Sequence, residues 1–193
     1  TGKECAIKTI FAERLEGNRL RRYIGEIETL AKCNNKFLIP FIGFTPTPPY
    51  TIVTEFMPNG ALDRYVRHRP RVQPLSGTQL TAIAIGIADG MRHIHSQGII
   101  HRDLKAANVM LDSRLFPRII DFGIARFQDQ CNIGMTVKIG TPNYMAPELI
   151  QSNDYDYKVD VYAYAMILYE MNENQRPFRN MKVNEVFSAV IQR

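Results

Sequence analysis

Within the run HRDLKAAN (101–108) stand a carboxylate at Asp103, an ammonium at Lys105 and an amide at Asn108. A second carboxylate, Asp121, opens DFG (121–123), and a lysine, Lys8, closes CAIK (5–8). These are the groups that phosphoryl transfer requires. That reaction asks for little covalent chemistry from a protein; it needs cations and hydrogen-bond donors around a triphosphate and a carboxylate beside the attacking hydroxyl. No single run suffices. HRD can sit in an ordinary polar loop, Asp-Phe-Gly is a common turn tripeptide, and a lone lysine in a strand is usually a surface charge. The weight lies in several fixed positions matching together, with DFG following a strand-like RII soon after Asn108.

Through HRDLKAAN, DFG, CAIK and GTPNYMAPE (140–148), the chain resembles the eukaryotic protein kinase family. The resemblance implies ATP and Mg²⁺ as cofactors and assigns roles position by position. Asp103 would orient the acceptor hydroxyl and take its proton. Lys105 would offset charge near the γ-phosphate, while Asn108 and Asp121 would hold Mg²⁺, an ion that prefers hard oxygen ligands. Lys8 would contact the α- and β-phosphates, partnered by Glu26; Glu28 is the rival, two residues on and facing elsewhere on the helix. Thr54 would be the gatekeeper, Glu55 to Met57 the segment that hydrogen-bonds adenine, and Ala6 and Met110 the two sides of the purine slot. Leu30, Phe41, His101 and Phe122 would stack as a spine anchored by Asp160, the apolar ones being ordinary core residues as well.

Lys105 together with Thr141 resembles the serine/threonine class. TEFMPNGAL (54–62), IIHRDLKAANVML (99–111) and GTPNYMAPE most resemble its tyrosine-kinase-like branch. The implied activity is transfer of the γ-phosphoryl of ATP to a Ser or Thr hydroxyl of a protein, with GTPNYMAPE receiving the peptide. The alternative is a pseudokinase or scaffold that binds partners without catalysis. Arg102 and Arg126 form a candidate cationic pocket for a phosphate on Thr136, added by an upstream kinase or by self-phosphorylation. Thr141 is the other candidate hydroxyl, expected to contact the catalytic loop.

Placing these residues requires an α+β, two-lobed fold: a small strand-rich lobe (1–56), a hinge region (57–60) and a mainly helical lobe (61–193). CAIKTI (5–10) and YTIVTEF (50–56) read as strands, and 37–44 as a strand marked as an edge by Pro40. From Glu13 to Cys33 the spacing predicts a helix with Leu20, Tyr23, Ile24, Ile27 and Leu30 on one stripe. A second helix runs from Ser76 to Ser96, capped by Ser76 or Thr78, with Leu80, Ile83, Ile87, Met91 and Ile94 on its apolar face. VMLD (109–112) and RIID (118–121) are short strands, 124–143 is a long irregular loop, and 159–171 reads as a buried helix. Arg19, Arg21 and Arg22 read as a solvated helix face, and so does the run Arg64, Arg67, Arg69, Arg71.

With 193 residues, 45% hydrophobic and 22% charged, the chain suits one soluble unit with a real core. The formal charge of +5 is scattered rather than striped, which argues against nucleic acid. Three cysteines, far apart and without metal spacing, favour a reducing, cytoplasmic setting. No apolar run reaches membrane-spanning length, and no signal peptide opens the chain. Family domains extend further at both ends, so a partial domain is expected: only seven residues precede Lys8, too few for the family's Gly-rich phosphate loop, and the family's last helices, with the Arg that pairs Glu148, have no counterpart in the chain. Tyr162 stands where the family often has Trp.

Overall fold

The alternating pattern of CAIKTI and YTIVTE becomes an antiparallel pair in which Cys5 lies opposite Glu55 and Ile10 opposite Tyr50. The structure is a computed structural model that describes residues 2–67, 72–122, 126–127, 140–152 and 154–192. β1 (Cys5–Ile10) and β2 (Phe41–Phe44) flank β3 (Tyr50–Glu55) on either side. Because side chains alternate along a strand, Ala6, Lys8 and Ile10 share a face with their partners Thr54, Ile52 and Tyr50. Ile52 and Tyr50 are buried, so this face looks inward.

It looks toward α1 (Gly17–Lys32), whose Tyr23 ring meets Tyr50 edge-on at 5.6 Å and whose hydroxyl donates to Thr45 O at 2.6 Å or Thr51 O at 2.9 Å. α1 starts four residues later than the spacing predicts. Glu16 is extended and offers no side-chain cap, so nothing supports an earlier turn. Its buried stripe is Tyr23, Glu26, Thr29 and Leu30, while Leu20 and Ile24 are exposed. The helix is thus rotated from the purely apolar reading, turning Glu26 inward toward the lysine-bearing face of β1.

The expected strand at 37–44 begins only at Phe41. Ahead of it, Ile119 of β6 (Pro117–Ile119) donates to Phe37 O at 2.8 Å and accepts from Ile39 N at 3.0 Å. Pro40 has no N–H to give to a ladder. Residues 37–39 are therefore stitched to β6 instead of to β3.

The remainder is mostly helical: α2 (Asp63–Val66), α3 (Gly77–Ser96), α4 (Pro147–Gln151), α5 (Lys158–Glu173) and α6 (Val183–Ile191). α3 opens with a capping box. Ser76 Oγ accepts from Gln79 N at 3.2 Å, and Gln79 Oε1 accepts from Ser76 N at 2.8 Å. Ile83, Ile87, Met91 and Ile94 are buried along it as their spacing predicts. Beside them Gly86 and Gly90 form a notch. A Cβ on Gly86 would stand 2.5 Å from Pro117 Cγ and 2.9 Å from Phe37 Cε1, so only a bare backbone lets residue 37 and β6 come this close.

α5 is not buried all round. Val159, Asp160, Ala163, Ile167, Glu170 and Met171 face inward, whereas Val161, Leu168 and Tyr169 are exposed. Its apolar composition hides a one-sided helix, and its inner stripe carries two acids. Short ribbons complete the fold: β4 (Ile99–Ile100) pairs with β7 (Arg126–Phe127), and β5 (Val109–Leu111) with β6.

Candidate active site

The loop between β4 and β5 is held from beneath by one carboxylate. Asp160, 1% exposed, accepts the backbone N–H groups of His101 and Arg102 at 2.8 Å each and lies 2.9 Å from His95 Nε2. Arg102 is left-handed at φ 65°, a conformation costly for a side-chain-bearing residue, and these bonds hold it there. His101 is fully buried, with Nε2 3.1 Å from Ile120 O and its ring 5.2 Å from that of Phe122.

So anchored, the loop presents Asp103. Oδ1 accepts the Thr141 hydroxyl at 2.8 Å; Oδ2 accepts Lys105 Nζ at 2.6 Å and Asn108 Nδ2 at 3.1 Å. Lys105 also reaches Thr141 Oγ1 at 2.8 Å, and Asn108 donates to Asp103 O at 2.8 Å. Charge-assisted bonds on both oxygens fix the carboxylate in plane and position. The amide nitrogen of Asn108 is engaged toward Asp103, so its amide oxygen is the end that points to other partners.

Across from this group, Lys8 Nζ lies 2.8 and 2.9 Å from the two oxygens of Glu26 and 3.2 Å from Asp121 Oδ1. Glu28 is exposed, so the helix register puts Glu26 and not Glu28 at the lysine. Burial pushes the Glu26 carboxyl above the usual glutamate range, and the neighbouring ammonium only partly offsets this. At Lys8 burial works against the charge, but the Glu26 and Asp121 carboxylates outweigh it and hold the ammonium above its usual value. Burial would raise Asp121, yet Lys8, His101 and Lys105, in that order, together outweigh it and keep it below the usual aspartate range. Asp121 is left-handed at φ 67°, with its side chain 43% exposed and able to meet a ligand.

This donor set suits Mg²⁺ bound with a triphosphate. It supplies one low-pKa carboxylate and one amide oxygen, hard ligands that leave room for phosphate oxygens and water. Among the described residues there is no cluster of three His, Cys, Asp or Glu that could hold a metal ion. Ala6 lies opposite Thr54 across the β1–β3 ladder. Met110 bridges Ala61, while Leu62 N and Leu111 N bond to Val109 O and Gly60 O, tying the segment after β3 to β5. Met57 is buried and Glu55 exposed. Leu30 and Phe122 belong to one apolar core, with Phe41 packed against it.

Arg102 Nη1 lies 3.2 Å from the Tyr155 hydroxyl. The backbone of Arg126 pairs with Ile100, two residues before Arg102, while its side chain and the whole of Thr136 lie outside the described residues.

One group escaped the sequence reading. Arg67, which the arginine run places on a solvated face, turns inward: Nε donates to Glu170 Oε1 at 2.6 Å and Nη1 lies 3.4 Å from Asp63 Oδ2. Glu170 is fully buried, and its other oxygen accepts the hydroxyl of Tyr144, from the GTPNYMAPE segment. Burial and then the Glu170 charge hold the Tyr144 phenol well above its usual range. Arg67 and Glu170 are 103 positions apart, so no local pattern could pair them; the one available signal was an acid on the inward stripe of an apolar helix.

The family model for the protein kinase domain matches residues 1–193. The serine/threonine-protein kinase STY46 of Arabidopsis thaliana is 37% identical over 192 residues, covering 99% of this chain and 33% of that protein. STY17 of the same plant is 34% identical over 192 residues, again 99% of this chain and 33% of the relative. The serine/threonine-protein kinase CTR1, also from Arabidopsis thaliana, is 28% identical over 192 residues, 98% of this chain and 23% of its own length. The chain thus spans a third or less of these relatives. Matched from end to end by that model, with DFG, HRDLKAAN and GTPNYMAPE all in place, the chain belongs to the protein kinase domain family.

Proposed function

We propose that the protein transfers the γ-phosphoryl group of ATP to a serine or threonine hydroxyl of a protein acceptor. The observation that carries this reading is the state of Asp103. Its two oxygens are fixed by Thr141, Lys105 and Asn108, and the groups suited to a nucleotide, Lys8 and Asp121, stand together elsewhere in the same site. An acceptor hydroxyl placed at Asp103 is oriented by the carboxylate and gives up its proton there as its oxygen bonds to phosphorus and the bond to ADP breaks. Lys105 offsets the negative charge of the transferring group. Lys8, held by Glu26, positions the α- and β-phosphates, and Thr54, Glu55, Met57, Ala6 and Met110 receive the adenine. Asn108 and Asp121 are the residues that would hold Mg²⁺, which neutralises phosphate charge when bound.

Lys8, Asp103, Asn108 and Asp121 are all present, which supports catalysis over a scaffold without chemistry. Regulation through phosphate on Thr136, met by Arg102 and Arg126, rests on sequence spacing and the β4–β7 pairing. Among the described residues no helix is long and apolar enough to cross a membrane. The test is phosphate transfer from radiolabelled ATP to a protein acceptor by the full-length protein, with phosphoamino-acid analysis of the product. Phosphoserine or phosphothreonine, absent with Asp103→Asn, is expected. Phosphotyrosine alone, or transfer undiminished in Asp103→Asn, would overturn the reading.

A further inference from the structure

The stretch TPTPPY (45–50), which joins β2 to β3, has no part in the chemistry just described. It holds two Thr-Pro pairs, Thr45-Pro46 and Thr47-Pro48, and the fold treats their hydroxyls differently. Thr45 Oγ1 donates to Pro49 O at 2.5 Å, accepts from Thr51 N at 2.8 Å and lies 3.1 Å from Thr51 Oγ1. Thr45 N donates to Thr51 O at 3.0 Å and closes the base of the turn. Beyond that base, residues 46–49 are all exposed, and the Thr47 hydroxyl has no hydrogen-bond partner among the described residues. Three of these four tip residues are prolines, which have no N–H to bond. Among the described residues, the tip's one hydrogen bond is that of Pro49 O to Thr45, so entering another protein's cleft breaks little. A residue before proline is also biased to extended backbone, the form in which a peptide lies along such a cleft.

We infer that Thr47 is a phosphorylation site for a proline-directed protein kinase, one whose acceptor cleft offers no partner for the backbone N–H that follows the phosphorylated residue. Such a cleft rejects ordinary residues, whose N–H would be buried unbonded, and accepts proline, which has none. In the transfer, Thr47 Oγ1 bonds to the γ-phosphorus of ATP and the bond from that phosphorus to ADP breaks. The hydroxyl proton passes to a carboxylate of the modifying kinase. Thr45 has the same Thr-Pro sequence, but its hydroxyl is engaged in the base of the turn. The turn is bonded in its own right to the helix that carries Glu26, through the Tyr23 hydroxyl at Thr45 O and Thr51 O. Arg19 stands one turn before Tyr23 on the same side of α1, exposed and in no ion pair among the described residues. A phosphate brings about −1.5 to −2 charges to a turn fastened to this cationic, uncapped half of α1, where negative charge steadies a helix.

The experiment uses the full-length protein carrying Asp103→Asn, so that label comes from the added enzyme and the outcome does not depend on the proposed kinase activity. It is incubated with radiolabelled ATP and a purified cyclin-dependent kinase or, separately, a mitogen-activated protein kinase, and the product is mapped by mass spectrometry. Phosphate on Thr47 and none on Thr45 is expected, with loss of label at this turn in Thr47→Ala. Pro48→Ala restores the N–H and should lower the label by about tenfold. Amide hydrogen exchange across 17–24 should slow by about threefold on phosphorylation, and not in Arg19→Gln. Label on Thr45 instead, no label from either enzyme, or equal label in Pro48→Ala would overturn the inference. Exchange that is unchanged, or slowed equally in Arg19→Gln, would overturn the link to α1.

Discussion

Thr141 and Asp103, 38 positions apart, are joined by a 2.8 Å hydrogen bond in which the hydroxyl donates to Oδ1. Lys105 bonds to both, so threonine, aspartate and lysine form a closed triangle. The triangle links the proposed base to the start of the segment proposed to receive the acceptor. Thr141→Ala is expected to lower kcat by roughly ten- to a hundredfold, within the range for disturbing a general base, while Thr141→Ser keeps most activity because it retains the hydroxyl. Steady-state rates of the two variants check this; equal losses in both would assign the effect to the methyl group.

Asp103→Asn and Asp121→Asn should each abolish transfer and leave the fold intact. An amide fills the same space in both places, but one change removes the proton acceptor and the other a Mg²⁺ ligand. Calorimetry shows whether they fold, and a radiolabel assay measures transfer. Normal turnover in either purified variant would refute the role given to that residue.

The Lys8–Glu26 contact is positional. The Lys8 side chain is 50% exposed, so water already screens much of its charge, and Lys8→Met should change the melting temperature little while the rate falls by orders of magnitude. A melting temperature that collapses along with the rate would make the pair structural.

The pH dependence follows from the directions of the shifts. Glu26 is held above its usual range by burial, so on acidification it takes a proton earlier than an ordinary glutamate would, and Lys8 loses its partner. The acid limb of kcat/KM for ATP should therefore lie above the usual glutamate range and disappear in Glu26→Gln. For stability the signs oppose. The raised Glu26 contributes stability at low pH that is lost as pH rises through its folded value. The depressed Asp121 contributes stability at neutral pH that is lost as pH falls through its own. An acid limb unchanged in Glu26→Gln would assign it to another group.

Two stability effects lie far from the chemistry. Ser76→Ala removes half of the capping box of α3 and should cost about 1 kcal/mol. Gly86→Ala places a methyl group against Pro117, a rigid ring, and should cost on the order of 1–3 kcal/mol by overpacking. Denaturant titration measures both, and a neutral Gly86→Ala would show that β6 can move away from α3.

The proposed chemistry was legible because its residues lie in short runs. HRDLKAAN brings base, cation and amide together in one loop, and Asp121 comes two short strands later, so local order in the sequence became proximity in space. The helix partner Glu26 was legible only through the family resemblance, by its distance before the NKFLIPFIGF stretch that follows the helix. Arg67 was not. Its neighbours in sequence are other arginines, and its true partner is on a helix whose composition looks uniformly apolar. The start of β2 was misjudged for a related reason: 37–39 are apolar enough for a strand, but their backbone groups bond with β6, a partner that sequence distance conceals. The inward rotation of α1 was hidden because a glutamate, not a leucine, occupies the face that matters.

The stitching of Phe37 and Ile39 to Ile119 turns α1 into a lever. The segment just past its C-terminal end is fastened to the strand that runs toward Asp121, and its N-terminal end carries no side-chain cap. Counting from Lys32 at 1.5 Å per residue, Glu26 lies roughly 9 Å along the arm and Gly17 roughly 22 Å. A tilt about the fastened end therefore moves Gly17 more than twice as far as Glu26. Force applied at the far tip reaches the ion pair with mechanical advantage.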